Sequence, residues 1–246
     1  MYLYSWPWQQ ITAYADIGIL MPAAIALTVW LLAAKNWRAA LCWLAVFIVG
    51  MGITGVSKLA FIGWGWGVES YDFTGFSGHA MRAAAIFPVA LYLLPWPAAR
   101  AWRVAAVVFG LLLGALIAYS RLMVGAHSVS ESVTGALLGS ACAGVFLYYV
   151  WGQKIQVPIW LIALCLAFFA LTPSKHSTPT HSWLIGVAMQ ISGHDRPFLR
   201  ECWCFPPEPW ITPGNPDGWR KQPPYPPMKR KLQTSIPERA VIAEPK

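Results

Sequence analysis

The chain has 246 residues, 57% hydrophobic and only 11% charged, with a mean hydropathy of +0.49. Soluble domains carry about 25% charged residues, so this composition argues against a soluble globular domain and for an integral membrane protein. The formal net charge of +8 is spread over short connections and the tail. It forms no single basic patch, which argues against a nucleic-acid partner and for attraction to anionic lipid headgroups.

Six apolar segments follow in order, at about residues 17–34, 39–57, 80–94, 104–119, 133–151 and 157–172. They are apolar all round rather than alternating. Spanning backbone must satisfy its hydrogen bonds internally, so the expectation is an all-α polytopic bundle of about six transmembrane helices. The third segment is short and is expected to extend back into the polar Ser77-Gly78-His79. Lys58 ends the second. No cleavable secretory signal is expected in residues 1–16, which lack a basic start and a small-residue cleavage site.

The connections carry the orientation signal. Lys35 and Arg38 lie between segments one and two, Arg100 and Arg103 between three and four, and Lys154 between five and six. None of these connections contains Asp or Glu. The positive-inside rule places them in the cytoplasm. The loops holding residues 58–79 and 121–131 then both face the periplasm or cell exterior. The chain divides into a membrane-embedded region, 1–172, a short packed or interfacial extension, 173–203, and a Pro-rich, basic tail, 204–246, expected to be disordered. A short interfacial helix is expected at 182–191.

Two polar clusters interrupt the apolar chain. Ionisable groups are costly near a bilayer, which makes such clusters functional candidates. In Ser120-Arg121-Leu122-Met123-Val124-Gly125-Ala126-His127-Ser128-Val129-Ser130-Glu131, the histidine and the glutamate are four apart and would share a helical face. A carboxylate there can hold the imidazole Nδ1–H and leave Nε2 free as base or nucleophile. The same pair could instead simply cap a helix. Arg121 offers a planar fork suited to phosphate oxygens. In Ser77-Gly78-His79, a helix start with a glycine can admit an anion, with Ser77 either a hydroxyl donor or an ordinary N-cap. Lys58 can deliver a point charge to phosphate, or simply snorkel to the headgroup level.

The order Lys58, Ser77-Gly78-His79, Ser120-Arg121-x5-His127-x3-Glu131 resembles the three-part signature of the type 2 phosphatidic acid phosphatase family, related to bacterial acid phosphatases and vanadium haloperoxidases. The resemblance covers about residues 58–151. It departs at three places. Gly65-Trp66 stands where the first motif has Arg-Pro, Glu131 where the last position is usually Asp, and Phe76 where Pro is frequent. Arg82, three residues after His79, is a candidate replacement for the lost arginine.

The resemblance implies an acid phosphatase-like helical core and a phosphohistidine mechanism. His127 is the implied nucleophile, Glu131 its orienting group and His79 the acid for the leaving group. Lys58, Ser77, Gly78 and Arg121, with Arg82, hold the phosphoryl oxygens. No metal and no cofactor are implied. The expected partners are a lipid phosphate substrate and membrane lipids; no nucleic acid is expected and no obligate protein partner is inferable. Two alternatives stand beside a lipid phosphate or pyrophosphate phosphatase. One is a lipid phosphotransferase using the same histidine. The other is a non-catalytic lipid-binding or translocating protein, favoured by the missing Arg-Pro. Asp72 and Glu69 would repel phosphate and are expected to pair with a cation or order their loop. Ser192-Gly193-His194 repeats the second motif, is followed by no spanning segment, and is read as incidental. Cys202 and Cys204, spaced C-x-C, are a poor zinc signal.

Overall fold

The computed structural model describes residues 6–94, 100–153, 155, 160 and 180–205. The sixth apolar segment, Lys154 and the tail beyond residue 205 lie outside them. The described elements are α1 (Trp6–Ala13), α2 (Ile17–Ala33), α3 (Trp37–Trp64), a 3₁₀ turn (Glu69–Tyr71), α4 (Gly78–Leu93), α5 (Arg100–Met123), α6 (Val129–Val150) and α7 (Thr180–Ser192). Two isolated antiparallel bridges, Val68 with Phe73 and Leu199 with Cys204, accompany them.

Four stretches among the described residues are long and apolar enough to cross a membrane: Pro7–Ala33, Trp37–Trp64, Arg100–Met123 and Val129–Val150. Their outer faces expose Ile25, Ile48, Leu112 and Leu137, each at least 60% accessible. Water would disfavour such surfaces, and lipid would cover them. α3 differs from expectation. It runs past Lys58 to Trp64, about 42 Å at 1.5 Å per residue. Leu59, Ala60, Phe61 and Ile62 sustain it, and Gly65, at φ 72°, ends it with its N–H bonded to Phe61 O while Trp66 N–H reaches Ala60 O. Lys58 therefore sits within a helix rather than at its end.

α4 is the hub. Its 16 residues span about 24 Å, short of a ~30 Å hydrocarbon core, yet Ala80, Met81, Ala83, Ala84, Ala85, Ile86 and Val89 are all buried. A helix apolar on every side belongs inside a bundle. Small residues on its neighbours make room. A Cβ on Gly139 of α6 would lie 2.1 Å from Met81 O, and one on Gly110 of α5 would lie 2.5 Å from Pro88. Both helices thus meet α4 backbone to backbone, as small residues permit between membrane helices. Trp43 of α3 closes the core, stacked on Phe47 at 5.2 Å, edge-on to Phe146 at 5.6 Å, and donating through Nε1 to Ala24 O at 3.1 Å.

The two ends of the bundle differ in chemistry. At one end Arg38 lies over Trp37, Arg100 over Trp151 and Arg103 over Tyr92, each within 6 Å of the ring. Asn36 there bonds Gln153 at 2.7 Å, joining the α2–α3 connection to the end of α6. The connections holding Arg38 and holding Arg100 and Arg103 thus gather at one end. Both polar clusters lie at the other.

Candidate active site

The N-terminus of α6 is built by a reciprocal cap. Ser128 Oγ accepts from Glu131 N–H at 3.2 Å, and Glu131 Oε2 accepts from Ser128 N–H at 3.2 Å. His127 precedes this cap, outside the helix. Its Nδ1 nevertheless lies 2.7 Å from Glu131 Oε2. The expected pair forms, but not through a shared helical face: the capping turn folds His127 back over Glu131. Capping and orientation are one arrangement here. The extra methylene of Glu over Asp lets the carboxylate reach both its own helix start and the imidazole. Glu131 is fully buried and its other oxygen accepts from Thr74 N–H at 2.9 Å and from the Thr74 hydroxyl. An ionised Glu131 fixes the proton on Nδ1 and leaves the Nε2 lone pair for chemistry. Burial pushes the His127 imidazole below its ordinary value of 6.5, against the opposing hydrogen bond from Glu131.

α4 starts beside α6. Ser77 N–H donates to Glu131 O at 3.1 Å, and a Cβ on Gly135 would lie 2.6 Å from Ser77 O. Glycine at 135 therefore seats the second motif on the third. Ser77 occupies the N-cap position, but its hydroxyl makes no capping bond. The cation set converges on His79, which interacts electrostatically with Arg121, Arg82, His127 and Lys58. Arg82, 6% exposed, reaches Ala15 O at 3.4 Å, and Arg121 donates to Thr12 Oγ1 at 2.9 Å. Both thereby hang on the α1–α2 junction. Lys58 lies under the loop before α4, where a Cβ on Gly75 would approach its side chain to 3.1 Å.

Among the described residues, the buried side-chain polar atoms without a hydrogen-bond partner are Ser77 Oγ, Arg82 Nε, Arg121 Nε and Ser132 Oγ. Three of the four belong to the predicted site. Buried donors are almost always satisfied, so an exception asks for a partner. An oxyanion would satisfy these.

One functional candidate was absent from the sequence reading. Arg200, beyond α7, donates through Nη1 to Glu131 Oε2 at 3.2 Å and through Nε and Nη2 to the Asp72 carboxylate at 2.9 and 2.5 Å. Its hydrogen bonds to Asp72 raise its pKa, against partial burial. Asp72 thus has the cation expected for it. Signals for Arg200 were indirect: an acidic residue in want of a partner, and two cysteines close behind. Cys202 and Cys204 form a disulfide. His194 of the second Ser-Gly-His faces Gly63 O at 2.7 Å through Nδ1 and packs edge-on against Phe205, a packing role that fits its reading as incidental.

An apolar cavity of about 460 Å³ is bounded by α1, α2, α4 and α5. Ile11, Tyr14, Leu27, Trp30, Phe87 and Leu116 help line it. Ile11 and Tyr14 flank Thr12 and Ala15 in sequence, the residues that hold Arg121 and Arg82.

The family model described as PAP2 superfamily matches residues 61–155. A Klebsiella pneumoniae protein described as an uncharacterized 22.5 kDa protein in cps region is 38% identical over 201 residues, covering 78% of this chain and 95% of that protein. No solved structure matches.

Proposed function

This chain belongs to the PAP2 superfamily, and we propose that it is a membrane phosphatase removing phosphate from a lipid phosphate or pyrophosphate through a phosphohistidine. The observation that carries this reading is the His127–Glu131 pair beside Lys58, Arg82 and Arg121, with Ser77 Oγ, Arg82 Nε and Arg121 Nε buried and without hydrogen-bond partners. Phosphoryl transfer asks mainly for positioning and charge stabilisation, and this set supplies both. His127 Nε2 attacks phosphorus as the bond to the lipid oxygen breaks, and protonated His79 gives its proton to the departing oxygen. Water then attacks the phosphohistidine. The P–N bond breaks, His79 takes the water proton, and phosphate leaves with both histidines restored. Lys58, Ser77, the Gly78 amide, Arg82 and Arg121 hold the phosphoryl oxygens throughout. The substrate's negative charge offsets the repulsion these cations exert on a proton at His79.

The apolar cavity favours a lipid over a soluble phosphate. Ile11 and Tyr14, which line it, are next in sequence to Thr12 and Ala15, the residues that hold the two arginines, so a hydrocarbon chain can occupy it while the headgroup meets the cations.

The membrane arrangement we read has six spans in the inner membrane: the four long stretches, α4 and residues 157–172. Two features support a site facing the periplasm or cell exterior, and a third supports the span itself. The connections holding Arg38 and holding Arg100 and Arg103 gather at the opposite end. The Cys202–Cys204 disulfide, beside the site, suits an oxidising compartment. Exposed Trp64, Trp66 and Tyr71 at the site end and Trp37, Trp102 and Tyr148 at the other suit two interfacial belts.

The test is phosphate release by the purified protein from a panel of lipid phosphates and pyrophosphates, wild type against His127→Ala. Release should fall to background in the variant; equal rates would overturn the nucleophile assignment. Transfer of labelled phosphate to an added alcohol, with little free phosphate, would convert the reading to a phosphotransferase. No turnover of any kind would favour a lipid-binding protein. For orientation, Ala126→Cys should react with an impermeant maleimide in intact cells, and labelling only after lysis would reverse the topology.

A further inference from the structure

The stretch Gly63-Trp64-Gly65-Trp66-Gly67 is where the first motif departs from the family pattern, and in the structure it is a track for the end of α7 and the segment after it. A Cβ on Gly63 would meet Ser192 at 3.2 Å, one on Gly65 would meet the Phe198 ring at 2.8 Å, and one on Gly67 would meet Trp203 at 3.0 Å. Gly65 is also left-handed, so a side chain there would be strained as well as crowded. Phe198 N–H bonds Ile62 O at 2.8 Å, and Phe198 and Trp203 both pack edge-on against Phe61, at 5.4 and 5.2 Å. Between these two anchors the chain turns back on itself. Leu199 N–H bonds Cys204 O at 2.9 Å and the Cys202–Cys204 disulfide closes the turn. Arg200 is the side chain this turn delivers.

Its position is consequential. Glu131 Oε2 is shared by His127 Nδ1, Ser128 N–H and Arg200 Nη1, while Oε1 is held by Thr74. Thr74 follows Asp72 in the loop before α4, and Asp72 is the residue that the Arg200 fork grips with two parallel bonds. Arg200 therefore ties the loop and the carboxylate together from outside, and it pairs with both acidic groups.

We propose that Arg200 is a positioning residue of this active site: held in the disulfide-closed turn 199–204, it bridges Asp72 and Glu131 and so fixes the carboxylate that orients His127. The glycines that replace the first-motif arginine make room for a segment that brings an arginine of its own, from the opposite side and for a different task. The proposal rests on the phosphohistidine reading for its kinetic consequence but not for its electrostatic one.

The experiment uses the full chain in detergent micelles, with dioleoyl phosphatidic acid as substrate and ¹³C-labelled histidines for NMR titration, the His127 signal assigned by its absence in His127→Gln. Arg200→Ala should lower kcat by up to about 100-fold, as misplacement of a reacting group does, with KM nearly unchanged. Removing the cation should also make His127 titrate at higher pH. Arg200→Lys, which keeps the charge but loses the fork, should fall between Arg200→Ala and wild type in kcat and stay near wild type in titration. If Arg200→Ala does not accumulate folded, Arg200→Lys carries the test through its lowered kcat. Wild-type kcat and wild-type His127 titration in the variants would overturn the proposal. If the wild type turns over no lipid phosphate, the functional reading falls; a shifted titration in Arg200→Ala or Arg200→Gln then keeps the Arg200 bridge, and an unshifted one removes it.

Discussion

The start of α6 and the turn at 199–204 both reach Glu131, by opposite routes. At α6 the partners are His127, Ser128 and Glu131 itself, all within one turn of chain, and the capping bonds that begin the helix also set the His127–Glu131 geometry. At the turn, Arg200 arrives from 69 residues away, steered by two aromatic anchors on a glycine track and a disulfide. The first arrangement is local to the start of α6. The second depends on a segment docking onto a surface it does not help to fold. The α4–α6 region should therefore be required for the fold, and the docked segment mainly for rate.

Gly139→Leu is the strongest way to break that contrast on the α6 side. A Cβ there would lie 2.1 Å from Met81 O, backbone that cannot move aside while α4 is packed on every face. Overpacking a core costs about 1–3 kcal/mol or more, and here backbone must shift. The expected outcome is loss of monodisperse protein after detergent extraction, measured by size-exclusion chromatography. On the other side, Gly65→Arg restores an arginine where the family signature has one. A naive reading would expect improvement. The structure instead predicts a folded protein with kcat lowered about 10-fold or more, because the new side chain displaces Phe198 and with it Arg200. Faster proteolysis after residue 180, with α3 to α6 still protected, would accompany it. Higher activity in Gly65→Arg would show that the docked segment is dispensable and would dissolve the contrast.

The same contrast explains what could be read from the sequence. His127, Glu131, Ser77, Gly78 and His79 were legible because their relations are local or set by two adjoining helix starts. The pairing of His127 with Glu131 was expected on the right residues but for a different reason, since the spacing of four serves a capping turn as readily as a helical face. Helix existence was legible from apolar runs, whereas the extension of α3 to Trp64 was not, because Lys58 looks like a boundary in hydropathy while the true stop is the left-handed Gly65. Arg200 was illegible. Nothing in the local pattern around residue 200 says which surface it meets, and the glycines that receive it look like a turn-rich loop. Asp72 in want of a cation was a clue, and it named a need without naming the residue.

The smallest expected effect concerns pH and sharpens the α6 side. The nucleophile must be neutral imidazole, so kcat/KM should fall on the acid side as His127 takes up a proton. Burial sets its pKa below 6.5, while the hydrogen bond and charge of Glu131 pull it upward and lose to burial. The acid limb should thus have its midpoint below pH 6.5, with activity present above it and lost as pH falls through it. Glu131→Gln removes the upward pull. Its midpoint should move to still lower pH even as kcat drops by about 10²- to 10⁴-fold through loss of the orienting carboxylate. A pH profile of kcat/KM for both proteins checks the direction. A midpoint that rises in Glu131→Gln would mean that the carboxylate does not act on His127 as the 2.7 Å contact requires, and the local half of the site would then need a different orienting group.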